Sequence, residues 1–152
     1  LQAKVLNHAP DTVFIEFAMN DAFLYSDGTP QLSVPQAKAN LEAMIDAILH
    51  QNPQAEIILQ TMNTVWDSPS GSNQSATLRP YLADYYQMYR EVAMARGLML
   101  IDHHSNWSAL QANEPLAYQS YVPDGVHPNA TGCSKVTLPL LQWKLSGGRE
   151  LP

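Results

Sequence analysis

The sequence contains little cysteine and little charge. Its single cysteine, Cys133, excludes a disulfide within the chain and leaves the redox compartment undecided. Charged residues make up 14% of the chain, compared with roughly 25% in an ordinary globular domain. Lys and Arg number 8 against 14 Asp and Glu, which gives a formal charge of −6, and they form no basic run. Nucleic acid is therefore not an expected partner, because a phosphate backbone is bound by clustered cations.

Long apolar runs and a signal sequence are also missing. No uninterrupted apolar stretch approaches the ~18 residues of a membrane-spanning helix. The first residues, LQAKVLNHAP, have neither an initiator methionine nor the apolar centre of a signal peptide. We therefore expect no membrane span, and we interpret the chain as part of a longer protein whose localisation is unknown. With 45% hydrophobic residues, residues 1–152 are predicted to form a single domain.

The hydrophobic pattern predicts strands that alternate with helices. Continuous apolar runs predict strands at residues 13–17, 56–62 and 98–102. Apolar residues at helical spacing predict helices at residues 35–50, 78–96 and 129–145, with Gly97 ending the second and Pro139 kinking the third. The residues between the third strand and the last helix are predicted to be a loop. Strands that are apolar on both faces favour an α/β fold with a parallel sheet.

Polar clusters follow each predicted strand. AMND comes after the first strand, a long polar loop at residues 63–77 after the second, and HHSNW after the third. Since the carboxyl ends of parallel strands share one edge of the sheet, functional loops gather there. This edge is therefore the predicted location of a functional site.

The stretch YVPDGVHPNATG places an acid and a base three residues apart. A histidine acts as a general base when an acceptor holds one ring nitrogen and leaves the other bare, and Asp124 can do this for His127. Gly125 permits the bend, and Pro128 disfavours a helical conformation at His127. The alternative interpretation is a plain surface turn that leads into a capped helix.

Asn20 is the second candidate site residue. It closely follows the first predicted strand, so its side-chain amide could donate a hydrogen bond to an oxyanion at the same sheet edge. The alternative role is that of a turn-forming Asn-Asp pair at the end of a strand.

Together, IEFAMNDA after a strand and DGVHP before the closing helix resemble the SGNH, or GDSL-type, hydrolases. The resemblance implies a flavodoxin-like three-layer α/β/α fold and an ester hydrolase in which Asn20 donates to the oxyanion, Asp124 orients and His127 is the base. It implies no metal or other cofactor. The expected substrate is a small-molecule ester or an acetylated carbohydrate, and the family favours a secreted or periplasmic protein.

The sequence departs from the family pattern at two blocks. Family members carry the nucleophile in an early Gly-Asp-Ser block, and no serine of this chain has that context; Ser26 in YSDGT has its acid after the serine. Ala18 replaces the glycine of Gly-x-Asn-Asp, and if that glycine takes a positive φ, alanine would re-aim Asn20.

The resemblance covers the family's C-terminal portion, without its first two strands. We therefore expect an N-terminally incomplete domain that is nearly inactive alone. The residue 13–17 strand should then be an exposed edge that pairs with a second copy of the chain or with the missing segment.

Other side chains allow more than one interpretation. Asp102, His103 and His104 suggest a metal site, but adjacent histidines on an extended chain point apart and no third ligand is evident, so lining the cleft or capping the loop is favoured. Trp66 and Trp107 are candidates for substrate contact or for anchoring loops. Core packing is favoured for several tyrosines of the second helix over a sugar-stacking surface, and for Cys133 over a nucleophilic role; these tyrosines are Tyr81, Tyr85, Tyr86 and Tyr89.

Two alternatives to the hydrolase remain. A non-catalytic α/β binding or assembly module could keep the cleft and lack the chemistry. A flavodoxin-like domain unrelated to hydrolases ranks lower, because the sequence has no phosphate-cradling glycine loop.

Overall fold

The structure, a computed structural model, describes residues 1–70 and 74–148. Its three strands form a parallel sheet in the order β1-β2-β3, with β1 at Thr12–Ile15, β2 at Glu56–Thr61 and β3 at Met99–Asp102. Strands β1 and β2 align so that Ile15 lies opposite Leu59. The three predicted strands and the α/β fold class are thus confirmed, with strand ends within two residues of those predicted.

Seven helices accompany the sheet in the described residues. They are α1 (Ala18–Asp21), α2 (Val34–Gln51), α3 (Leu82–Arg96), α4 (His103–Asn113), α5 (Pro115–Tyr121), α6 (Ala130–Gly132) and α7 (Leu138–Leu145). A 3₁₀ turn at Leu6–His8 and a π turn at Cys133–Thr137 complete the elements. Within these described ranges, no helix has the length and apolar character needed to cross a membrane.

The chain divides into two compact units. The first comprises Leu1–Gln60 and Tyr81–Leu100, and the second comprises the described residues of Thr61–Pro80 and Ile101–Pro152. The expectation of one domain over residues 1–152 stays a prediction.

In the first unit, helix α2 begins where the sequence signals it. The Ser33 hydroxyl accepts from the Gln36 backbone N–H and the Gln36 side chain accepts from the Ser33 N–H, a reciprocal cap that satisfies two donors at the helix start. Pro35 lies in the first turn, where no intrahelical N–H is needed. The helix then buries residues at the predicted spacing, namely Ala37, Leu41, Ile45 and Ile48.

Helix α3 buries most of its tyrosines and ends as predicted. Tyr85, Tyr86 and Tyr89 are buried, while Tyr81 precedes the helix and is exposed. Core packing is thus confirmed for three of these four side chains. Gly97 follows the helix with φ of 62°, the left-handed conformation that glycine adopts without a steric penalty.

In the second unit, the prediction of a loop after the third strand is wrong, because residues 103–113 and 115–121 form helices α4 and α5. The sequence of helix α4 has too few apolar residues to show a clear helical pattern, and the helix buries only His103 and Trp107. Trp107 packs edge-to-face against Tyr118 of α5, with ring centroids 6.2 Å apart. Together with Val122, these two aromatic side chains form a buried hydrophobic cluster in this unit.

The predicted closing helix is interrupted rather than continuous. Pro139 has no N–H to donate, and the turn before it takes the wider π register, in which the Leu138 N–H donates to the Cys133 carbonyl. The prediction that Cys133 is a buried filler is wrong, since its side chain is exposed. Its neighbour Gly132 is the buried residue of α6.

Candidate active site

The Asp124–His127 pair is formed within one turn of the second unit. The Asp124 Oδ1 atom accepts from the backbone N–H groups of Val126, at 2.9 Å, and His127, at 2.7 Å. The Oδ2 atom lies 2.7 Å from His127 Nδ1. The His127 side chain is 76% exposed and that of Asp124 39%. The carboxylate therefore organises both the backbone of the turn and the imidazole ring.

The electrostatics of the pair suit a general base. Partial burial acts to raise the pKa of Asp124, but hydrogen bonds from the His127 and Val126 N–H groups and from the His127 ring outweigh it and lower the pKa to about 2. Asp124 is thus ionised at neutral pH and can only accept. Because an ionised acceptor faces Nδ1, that nitrogen of a neutral ring carries the proton and Nε2 is left bare.

Gly125 brings the turn against Trp66. Its φ is +85°, and a Cβ placed on it would lie 2.2 Å from the Trp66 carbonyl oxygen, so the close approach excludes any side chain. The Trp66 N–H donates to the Gly125 carbonyl at 3.1 Å. The indole Nε1–H donates to the Val122 carbonyl at 2.7 Å. Trp66 is therefore an anchor between its loop and the turn.

Two further side chains of the same loop bind the turn. The Asn63 amide is buried and donates to the carbonyls of Val126, at 2.8 Å, and Thr64, at 2.6 Å. The Ser68 hydroxyl is also buried and donates to the Pro123 carbonyl at 2.6 Å. Neither residue was expected from the sequence to be a partner of the turn. The only signal was the polar composition of the loop, because their partners lie more than fifty residues away.

Asn20 lies in the first unit, on helix α1, and its side chain is exposed. Ala18, which replaces the family's glycine, is 2% exposed and begins this right-handed helical turn; it is not among the residues with positive φ. Alanine therefore fits this backbone without strain. The structure brings Asp124 and His127 together, and the participation of Asn20 in the same site stays a prediction.

Asp102 stabilises the start of helix α4. Its Oδ1 accepts from the Thr61 hydroxyl at 2.9 Å and its Oδ2 accepts from the Ser105 hydroxyl at 2.6 Å. The Thr61 oxygen in turn accepts from the His104 N–H at 2.9 Å. Burial lowers the pKa of His103, with Asp102 opposing the shift. Across residues 1–70 and 74–148, no three His, Cys, Asp or Glu side chains group as metal ligands would.

Trp107 is a core residue, because it is 1% exposed in the middle of α4. Of the two tryptophans considered as substrate contacts, one thus packs the core and the other, Trp66, anchors a loop.

The parallel sheet with its accompanying helices defines a protein of the α/β class, and the Asp124–His127 pair lies on the turn before α6 and α7. The sequence profile of the GDSL-like Lipase/Acylhydrolase family matches residues 1–134, and the chain belongs to that family. No curated protein sequence matches the chain. The resemblance to GDSL-type hydrolases found in the sequence is thus confirmed.

Solved structures share the fold at low sequence identity. The chain is similar to a protein of Parabacteroides merdae assigned to the GDSL-like lipases, with 18% identity and a TM-score of 0.76 over 97% of this chain and 65% of that one. It is similar to a catalytic mutant of an acetylxylan esterase from Geobacillus stearothermophilus, with 19% identity and a TM-score of 0.68 over 95% and 63%. It is also similar to an α/β hydrolase from the metagenome of Lake Arreo, Spain, with 20% identity and a TM-score of 0.70 over 99% of this chain and 66% of that one. The chain therefore spans about two thirds of the length of these structures.

Proposed function

We propose that this chain supplies the acid-base arm of a serine ester hydrolase. The supporting observation is the 2.7 Å contact between Asp124 Oδ2 and His127 Nδ1, which leaves Nε2 bare on an exposed ring. His127 removes the proton of a serine hydroxyl as the serine oxygen attacks the ester carbonyl. It then returns the proton to the departing alcohol, and water releases the acyl group by the same route. Asn20 donates to the oxyanion of the tetrahedral intermediate.

The nucleophilic serine of this proposal comes from a Gly-Asp-Ser block that these 152 residues do not contain. The chain alone is therefore expected to be nearly inactive, because loss of one triad member costs several orders of magnitude in rate. The proposed substrates are small esters, including acetyl esters of carbohydrates. Membership of the GDSL-like family and the likeness in fold to an acetylxylan esterase support this class.

The test is hydrolysis of p-nitrophenyl acetate by the chain and by a form extended upstream to the start codon of its gene. Each form is also made with His127→Ala, and with His8→Ala as a matched control, since His8 is an exposed histidine with no role in the proposed mechanism. We expect the extended form alone to turn over, with kcat falling about a thousandfold or more in His127→Ala and unchanged in His8→Ala.

Two results would contradict the proposal. Hydrolysis by the extended form that survives His127→Ala would remove the histidine from the mechanism. Hydrolysis by the 152-residue chain that depends on His127 would place the nucleophile within these residues. If neither form hydrolyses esters, the non-catalytic module is favoured instead.

A further inference from the structure

We propose that Asn63, Trp66 and Ser68, here named the loop clamp, are positioning residues that aim His127. The proposal rests on the proposed function, in which His127 is the base. None of the three touches the reacting atoms in this scheme. They act through the backbone of the turn that carries Asp124 and His127.

The hydrogen bonds within the turn set its internal geometry. The bonds of Asp124 to the Val126 and His127 N–H groups and to the His127 ring lie within residues 124–127, so these three orient the ring relative to the carboxylate. Both side chains are accessible to water, which competes for such bonds and weakens them. A general base must be held near one geometry, so bonds that tie the turn to a neighbouring loop contribute to the aim of the ring.

The loop clamp supplies that restraint through the carbonyl groups of the turn. The carbonyls of residues 122, 123, 125 and 126 all accept hydrogen bonds from it, which leaves little freedom for the segment on either side of Asp124. Asn63 is 3% exposed and Ser68 5%. Water cannot readily replace a buried donor, so losing one leaves a carbonyl unsatisfied at a larger cost than a surface bond.

The loop that carries the clamp is itself held by hydrogen bonds at Thr64 and at Asp67. The Tyr118 hydroxyl donates to the Thr64 carbonyl at 2.9 Å, and burial raises the pKa of Tyr118 to about 12, so it remains a donor at neutral pH. Asp67 accepts from the N–H groups of Ala76 and Thr77 and from the Thr77 hydroxyl. A clamp on a braced loop can transmit a fixed position to the turn.

The test uses single and double variants of the 152-residue chain. Trp66→Phe removes the indole donor and keeps an aromatic ring, and Ser68→Ala removes one hydroxyl. Trp143→Phe and Ser70→Ala are matched controls, since both side chains are exposed and neither donates to the turn. Long-range ¹H–¹⁵N correlation reports which nitrogen of the neutral His127 ring is protonated. Hydrogen exchange reports the opening of the Val126 and His127 amides.

In the wild-type chain we expect Nδ1 to be protonated. Each clamp variant should speed exchange of these two amides about threefold to tenfold, and the double variant should also mix the two ring tautomers, while the controls match wild type. The proposal would be overturned if the double variant kept the wild-type ring nitrogen signals of His127 and the wild-type exchange rates of the two amides. If the double variant unfolds, Ser68→Ala decides in the same way, because it removes a single oxygen atom.

These readouts need no nucleophile, so they separate the clamp from the proposed function. In the extended form, the clamp variants should lower kcat about tenfold with little change in KM, as expected for a misaimed base. An extended form without esterase activity, combined with altered ring signals, would count against the hydrolase and not against the clamp.

Discussion

At the scale of single residues, Gly125 shows how a turn and a loop constrain each other. Its positive φ and its contact with the Trp66 carbonyl both require the absence of a side chain. We predict that Gly125→Ala lowers the free energy of unfolding by about 2–4 kcal/mol, because it combines backbone strain with a collision against main-chain atoms. Urea denaturation of the chain measures the change.

Gly28→Ala is the matched control for this prediction. Gly28 has φ of +80° and nothing within 4 Å of the added Cβ, so only the strain of about 1 kcal/mol applies. Equal losses of stability in the two variants would mean that the close approach of Trp66 to Gly125 adds nothing to the change in the free energy of unfolding.

Residue types were enough to identify the Asp124–His127 pair, because its hydrogen bonds span three positions of sequence. They were not enough to identify Asn63 or Ser68 as partners of the same turn. A buried amide or hydroxyl finds a distant carbonyl only after the chain has folded, and no local pattern encodes that pairing.

At the scale of elements, a partly buried acid comes directly after β1. Glu16 follows this strand, and burial raises its pKa to about 7 from an ordinary value of 4.5. The folded chain therefore holds this proton more tightly than the unfolded chain does. The resulting stability is fully present below pH 4.5 and is lost as the pH rises to 7, by up to about 3 kcal/mol.

We predict that Glu16→Gln removes this loss and makes the chain more stable than wild type at pH 8, because the amide has no charge to desolvate. Thermal or urea unfolding between pH 4.5 and 8 measures it. Glu56→Gln, on the neighbouring strand and exposed, should keep the wild-type pH dependence. A Glu16→Gln variant with an unchanged pH profile would show that another group is responsible.

Elements with a strong pattern were predicted well, and those without one were missed. Helix α2 has a cap, a proline and four buried apolar residues at helical spacing. Helix α4 has few apolar residues to bury, so its sequence is indistinguishable from a loop. It forms because Trp107 and Tyr118 pack together, which is a tertiary cause.

At the scale of the whole molecule, strand β1 has one neighbour in the described sheet and exposes Phe14, at 45%, beside its open edge. An unprotected edge is a template for pairing with another chain. We propose that copies of the chain associate through β1 and predict a mass by light scattering near twice 16.9 kDa.

Phe14→Lys places a charge on that edge and should give the monomer mass. Met94→Lys is the control, because Met94 is exposed and belongs to α3 rather than to β1. A wild-type chain that stays monomeric at high concentration would contradict the association.

The sequence by itself determined the fold class, the family and the pairing of Asp124 with His127. These depend on features that are local along the chain: continuous apolar runs, a helix cap, and an aspartate three residues before a histidine with a glycine between them. Tertiary structure alone decided that residues 103–113 and 115–121 are helical, that Cys133 is exposed, and that a loop after β2 holds the turn of His127. The physical reason is that burial and long-range hydrogen bonds join residues whose separation along the chain carries no signal.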